Sequence, residues 1–392
     1  MKWLIGALAA LVLSADALAQ NLPESVTEPY LAFEAAMRAG DAAAVLENAR
    51  RAYEAGTAAD IDLTTLATLA ENYGYGAALN QDFETAQSAW REAARLSDRA
   101  GGSAVERAWR WHNAALFALQ IEDRDDAYAC ARRAANALEE LDGNLGAASD
   151  FAGVAFLTRA ALAMGRGRIG DAGDAAIQSA EAFEAELEAP NVSYALALFY
   201  AGVAQTLDQD FERATYSLHV ALDVMEEVAP EHPDLRTLQA ATTSARLNLY
   251  DEDDADREAA AFARLDARLA ANPFHSDRYL DREVEAAADD GLADEADAET
   301  VCCDAAPIRR RNPDYPRDAA YSDIDGVVYV TFAVTEEGRT DAIEVTGSFP
   351  PEIFDEASID AIEDWVYEPA TRDGEPVRRE GVETRFDFRM AR

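Results

Sequence analysis

The sequence predicts two architectures in series: an all-α stack of helical hairpins, then a small α+β domain built on a three-stranded antiparallel sheet. Three observations predict this. A small-residue signature recurs through the middle of the chain, with Ala86, Ala127, Ala172 and Ala214 spaced by 41, 45 and 42 residues. From Pro313 to Phe388 the hydrophobic period changes from helical spacing to strand alternation, with one helix between. Between the two regions, Asp281 to Asp304 holds ten acidic residues against Arg282 alone. Such a run self-repels and reads as an extended or loosely helical linker. The expected division is residues 1–19 as a signal peptide, 24–272 as the helical stack, 273–304 as the acidic linker and 305–392 as the α+β domain.

Met1 to Gln20 reads as a secretory signal. Lys2 is the charged start, Trp3 to Leu13 the apolar run, and Ala17-Leu18-Ala19 a small-residue cleavage site, so that Gln20 begins the mature chain. The apolar run is shorter than the roughly 20 residues a spanning helix needs. Asp16 would also be costly in lipid. No later segment reads as a membrane span. A soluble exported protein is expected, with an uncleaved inner-membrane anchor as the alternative.

From Tyr30 to Ala271 the pattern is helix, short break, helix. An acidic or glycine break is followed by alanine, then a second residue four positions on, then a small one three further. Asp82-Phe83 precedes Ala86, Trp90 and Ala93; Asp123 precedes Ala127, Ala131 and Ala134; Ile169 precedes Ala172, Ala176 and Ser179; Asp210-Phe211 precedes Ala214, Leu218 and Ala221. The upstream helices match as well, through Ala70-Tyr73-Gly74, Trp111-Ala115, Phe156-Ala160 and Leu198-Gly202. Small residues at these points let paired helices approach closely. This resembles the tetratricopeptide repeat, at a period longer than its usual 34. Weaker pairs at Tyr30–Ala55 and Asp234–Ala271 flank the four, so about six stacked hairpins are expected. Trp90, Trp109, Trp111, Tyr194, Phe199 and Tyr200 are read as inter-helix core. The resemblance implies a TPR-like α-solenoid with a concave groove for a peptide or protein. Asp251 to Asp254 reads as the acidic start of a helix.

The last region opens with Tyr315-Pro316 and Ala319. Gly326 to Val334 alternates, with Val328, Val330, Phe332 and Val334 on one face and Val327, Tyr329, Thr331 and Ala333 on the other. A turn at Gly338 leads to a second strand through Ile343 and Val345. Phe354, Ala357, Ile359, Ile362, Trp365 and Val366 then keep helical spacing, and Pro369 is expected to stop that helix. Asp373-Gly374 turns the chain, and Val382 to Phe388 alternates as a final strand. The ordered set Tyr315, Pro316, Ala319, Gly326, Val328, Val330, Phe332, Val334, Gly338, Phe354, Asp355, Ala357, Trp365, Pro369, Asp373, Gly374, Phe386 and Phe388 resembles the C-terminal domain of TonB-family proteins, over about a fifth of the chain. Among these, Tyr315, Pro316, Gly326, Gly338, Trp365, Pro369 and Gly374 carry the domain's motif. They are also what a small α/β core needs, since Trp365 can pack the helix on the sheet and the glycines can supply positive φ.

Composition bounds the chemistry. Formal net charge is −41, and Lys2 is the sole lysine. No nucleic-acid partner is expected, because phosphate binding needs clustered cations. His112, His219, His232 and His275 show no metal spacing. No nucleophile-elbow, phosphate-loop or dinucleotide glycine pattern is present. No catalytic residue, metal or cofactor is therefore expected, and the chain is read as non-enzymatic. Cys130 reads as a small buried hydrophobe, and Cys302-Cys303 as inert thiols in the linker. Arg309-Arg310-Arg311 reverses the charge sign and is expected to pair with linker or domain acids.

The TonB resemblance implies a function. Family members grip an outer-membrane receptor by pairing the exposed last strand with a short receptor segment. Carried onto this chain, the gripping strand is Glu383, Thr384, Arg385, Phe386, Asp387 and Phe388, with main-chain groups giving affinity and outward side chains specificity. The alternative is that this edge pairs within a homodimer or is covered. Two parts depart from the family. The N-terminal helix reads as cleavable and lacks the motor-coupling histidine, and the proline-rich spacer is replaced by the helical stack. The expected protein is a periplasmic TonB-like adaptor joining envelope proteins, one of them an outer-membrane TonB-dependent receptor. An anchored energy transducer and a dimerising scaffold are the alternatives.

Overall fold

Five helical hairpins in the structure share one way of turning. In each, a residue in the left-handed region follows the first helix, and the next residue immediately precedes the second helix. The structure is a computed structural model that describes residues 22–185, 189–249, 255–272, 305–322, 324–372 and 374–390. The expected signal peptide, the acidic run 251–254, the linker acids 281–304 with Cys302 and Cys303, His275 and Asp373 lie outside the described residues. The chain forms two compact units, Met1–Glu186 and Leu187–Arg392.

The first unit contains α1 (Glu24–Ala39), α2 (Ala42–Ala58), α3 (Leu63–Leu79), α4 (Phe83–Ala100), α5 (Ala104–Gln120), α6 (Arg124–Glu139), α7 (Ser149–Met164) and α8 (Ile169–Glu184). The second opens with α9 (Val192–Leu207), α10 (Phe211–Val228), α11 (Leu235–Leu247) and α12 (Ala255–Ala271). The left-handed residues are Gly40, Gln81, Glu122, Gly167 and Gln209, with φ between 60° and 69°. The following amide donates back five residues in every case, as from Asp82 to the Ala77 carbonyl at 3.0 Å and from Asp123 to that of Ala118 at 2.9 Å. This closes the first helix. The aspartates then cap the second: Asp82 accepts from the Thr85 amide at 3.1 Å and Asp123 from that of Asp126 at 3.0 Å. The acidic or glycine break of the sequence thus joins a left-handed residue that closes the first helix to the residue that opens the second.

Within the hairpins, Gly faces a large side chain. A Cβ at Gly74 would lie 2.6 Å from Trp90, and one at Gly202 would lie 2.5 Å from Leu218. The equivalent positions in the intervening repeats carry Ala115 and Ala131, and Ala160 and Ala176, all fully buried. The close approach is thus met either by glycine against a large side chain or by two alanines. Polar bonds one repeat apart join neighbouring hairpins of the first unit. Arg110 donates to Glu71 at 2.9 Å, Gln87 to Asp126, Arg166 to Asp125 and Tyr128 to Asp171. Trp90, Trp111 and Tyr194 are buried, as the core reading expected, and Trp109 meets Phe151 edge-on at 5.4 Å. Cys130 is a buried thiol whose pKa burial pushes up to about 12.

Two readings of the helical region change. Gly146–Met164 is, by length and composition, a helix able to cross a membrane, which sequence reading had missed. It packs instead between α6 and α8, burying Ala152, Phe156, Ala160 and Ala163. The last expected hairpin also differs: α11 and α12 meet where Arg246 lies 5.6 Å over the Phe262 ring, but they do not pack along their length as the other pairs do. The α12 helix returns to α10, where Arg264 pairs with Glu212 at 2.9 Å and Arg268 lies 4.1 Å over the Tyr216 ring. The α11 helix instead lies between α10 and the sheet.

The sheet domain contains β1 (Ala306–Arg309), α13 (Arg317–Tyr321), β2 (Gly326–Val334), β3 (Thr340–Phe349), α14 (Asp355–Glu363), β4 (Val366–Glu368), β5 (Ala370–Arg372), β6 (Glu375–Val377) and β7 (Arg379–Phe388). The main sheet is three-stranded and antiparallel, as expected, and its strand order is β3-β2-β7. Val328, Val330, Phe332 and Val334 face a core with Phe354, Ala361, Ile362 and Trp365. The helix ends at Glu363, before Pro369 can stop it, and Val366 lies in β4. There β4 pairs with β1, and β5 pairs with β6.

Candidate partner-binding edge

The β7 strand is last in the sheet order. One side pairs with β2, from Gly326 opposite Phe388 to Val334 opposite Arg379, and no strand among the described residues pairs with the other. Between Val382 and Arg379 the strand gains one residue over β2, and Gly381 there has φ of 69°. This bulge twists the strand, so the regular edge runs from Val382 to Phe388.

Aromatic packing fixes which way the edge residues point. Phe388 stacks on Phe354 with centroids 4.4 Å apart, and Phe386 meets Trp365 edge-on at 5.6 Å. Phe386 and Phe388 are therefore committed to the core. Their alternation places Glu383, Arg385 and Asp387 on the opposite face. Arg385 and Asp387 form an ion pair at 2.9 Å. Glu383 pairs with Arg236 of α11 at the same distance. Thr384 is half-buried on the core side. The Asp325 carboxylate accepts from the Met390 amide at 2.9 Å, which fastens the end of the strand.

The motif residues build the support behind this edge. Tyr315 donates to the Ile324 carbonyl at 2.6 Å and meets Phe354 and Phe388 edge-on. Pro316 precedes α13. Gly326 leaves room for Phe354, whose ring would lie 2.3 Å from a Cβ. At Gly338 two demands coincide: φ is 75°, and a Cβ would lie 2.0 Å from the Tyr367 carbonyl oxygen. Trp365 donates through Nε1 to the Arg311 carbonyl at 2.8 Å. Pro369 separates β4 from β5, and Gly374 turns β5 into β6 with φ of 85°. The basic triplet is held on this corner. Arg310 lies 5.0 Å over the Trp365 ring, and Arg311 pairs with Asp364 at 3.3 Å.

Sequence reading missed the partners on α11. Arg236 and Thr243 touch the sheet face that carries Tyr329 and Glu383. The available signal was Gly347: a lone glycine inside a strand marks close approach of another backbone. Among the described residues no group of three or more His, Cys, Asp or Glu could hold a metal ion. His112 is buried against Phe151 on α5 and His219 on α10, and neither lies on the sheet domain.

Fold and edge together define a helical-repeat protein that carries a small sheet domain with an open terminal strand. Residues 311–390 match the family described as Gram-negative bacterial TonB protein C-terminal. Over 83 residues the chain is 37% identical to Protein TonB of Pseudomonas aeruginosa, covering 21% of this chain and 24% of that protein. It is 36% identical over 62 residues to Protein TonB of Escherichia coli, covering 16% and 26%. The chain thus spans about a quarter of the length of these curated relatives. It is similar to the solution structure of the Pseudomonas aeruginosa TonB C-terminal domain at 34% identity, covering 26% of this chain and 93% of that one with a TM-score of 0.22. The helical region is similar to the apo crystal structure of RapI at 12% identity, covering 62% and 85% with a TM-score of 0.38.

Proposed function

We propose that this protein is a non-enzymatic, exported adaptor of the bacterial envelope. Its sheet domain binds an outer-membrane TonB-dependent receptor, and its helical repeat holds a second envelope protein. The observation that carries this reading is the position of β7, an edge strand of a domain whose sequence matches the TonB C-terminal family. Strand addition fits that edge. The core-side aromatics fix the register of Glu383 to Phe388, and the outer main chain offers unpaired donors and acceptors. Specificity then falls to side chains beside the annexed segment, of which Glu383 is the most exposed, with the Arg385–Asp387 pair next to it. The N-terminal segment reads as a cleaved signal, so the mature chain begins at Gln20 in the periplasm.

A photo-crosslinking amino acid at position 383 tests the reading in cells. The expected adduct contains an outer-membrane receptor. Adducts only between copies of this chain would mean that the edge serves a homodimer, and the adaptor reading would fall.

A further inference from the structure

The second face of the main sheet is also buried in part. Val327 and Ala333 are fully buried, and Phe349 is 3% exposed. None of them belongs to the core that α14 covers. The cover is α11. A Cβ at Gly347 would lie 2.6 Å from the carbonyl carbon and oxygen of Arg236, so the helix backbone rests directly on β3. Arg236 reaches Glu383 at 2.9 Å, and Thr243 shares a 3.3 Å hydrogen bond with the Tyr329 hydroxyl. Arg236 and Thr243 are seven residues apart, two turns along one helix face. A different face binds α10, where the Thr242 hydroxyl lies 3.4 Å from the Leu218 carbonyl and Leu238 is 1% exposed. The helix therefore has two occupied sides, one for the repeat and one for the sheet.

We propose that α11 anchors the sheet domain to the helical repeat. A strand annexed at β7 is then connected to the repeat through a packed, non-covalent interface, in addition to the chain between α12 and β1. The purpose of the anchor rests on the partner-binding reading above; the anchor does not. Three features commit the face to this helix. The glycine is placed where the helix backbone touches. The charged contact bridges from the helix to the edge strand itself. The helix and the sheet are joined by one chain, which holds them at high effective concentration. The arrangement fixes the direction in which β7 faces relative to α10 and α11, so that a partner on the edge is held by a rigid unit.

The test uses the full chain with a protease site placed within residues 281–304. After complete cleavage, judged on a denaturing gel, the two pieces are expected to co-elute as one species in gel filtration at micromolar concentration. Gly347→Val in the same chain should make the cut pieces elute apart. Valine suits a strand but its side chain has no room beneath α11. Circular dichroism and melting of the uncut variant verify that the sheet has formed. Separation of the unsubstituted pieces would overturn the anchor, as would co-elution of folded Gly347→Val pieces. If Gly347→Val loses its fold, Arg236→Glu takes its place and sets like charges against Glu383. The cut pieces should then part at a roughly tenfold higher concentration, and an unchanged concentration dependence would overturn the proposal. No partner is read in this experiment, so its failure leaves strand addition at β7 untouched.

Discussion

His112 is held neutral by its surroundings. It lies wholly inside α5, with its ring edge-on to Phe151 at 5.6 Å. Burial removes the water that would stabilise an imidazolium, and lowers its pKa from 6.5 to about 4. Between those two values the unfolded chain binds a proton that the folded chain refuses. Stability from this residue is therefore complete above pH 6.5 and is lost as pH falls toward 4, by up to about 3 kcal/mol. The acidic surface acts in the opposite sense, since protonating carboxylates relieves repulsion. The residue's contribution is thus isolated by comparison with His112→Phe, which keeps a ring against Phe151. Denaturant unfolding at pH 7 and pH 4.5 should show a smaller acid-induced loss in the variant than in the unsubstituted chain. Equal losses would mean that the imidazole is hydrated in the folded state.

At the scale of the element, the hairpin break repeats while its residues vary. Gly40 and Gly167 adopt the left-handed conformation without steric cost, but Gln81, Glu122 and Gln209 adopt it with a Cβ. Glu122→Gly should therefore stabilise the α5–α6 hairpin by about 0.5–1 kcal/mol, less the entropy glycine adds to the unfolded chain. A higher urea midpoint with an unchanged slope is the expected result. This break was legible in the sequence because each repeat presents it once, at a steady distance from the buried alanine. The strand β2 was legible because one face is apolar along the whole strand, and β7 because Val382, Phe386 and Phe388 fall on one face. The end of α14 was not. Trp365 and Val366 continue the spacing of Ile362, but the chain has already left the helix at Asp364, and the Trp365 amide bonds the Ile362 carbonyl in a turn. Three-residue strands such as β4 offer too few positions for alternation to register. At the candidate edge, the inward Phe386 and Phe388 could be read from period alone. Arg236 could not, because its contact with Glu383 spans 147 residues of chain, and a helix with two packed faces resembles an ordinary repeat helix in sequence.

For the molecule as a whole, charge is the dominant unbalanced quantity. Asp and Glu number 75 against 34 Lys and Arg, for a net charge of −41. Two electrostatic effects of opposite sign follow, and ionic strength separates them. The pairs Arg110 with Glu71, between neighbouring repeats, and Arg159 with Asp171, within one hairpin, are short and largely shielded from water, so salt weakens them little. The exposed pairs, such as Arg50 with Glu47, are weak and readily screened. Repulsion among the surplus carboxylates acts over longer distances, through solvent, where a Debye length of about 10 Å at 0.1 M salt cuts it steeply. Salt should therefore remove more repulsion than attraction. Raising sodium chloride from about 0.01 to 0.3 M is expected to raise the melting temperature by several degrees, most of it below 0.1 M. A melting temperature that falls with salt would assign the stability of the repeats to their exposed ion pairs, and would require that the excess negative charge lie where its members do not interact.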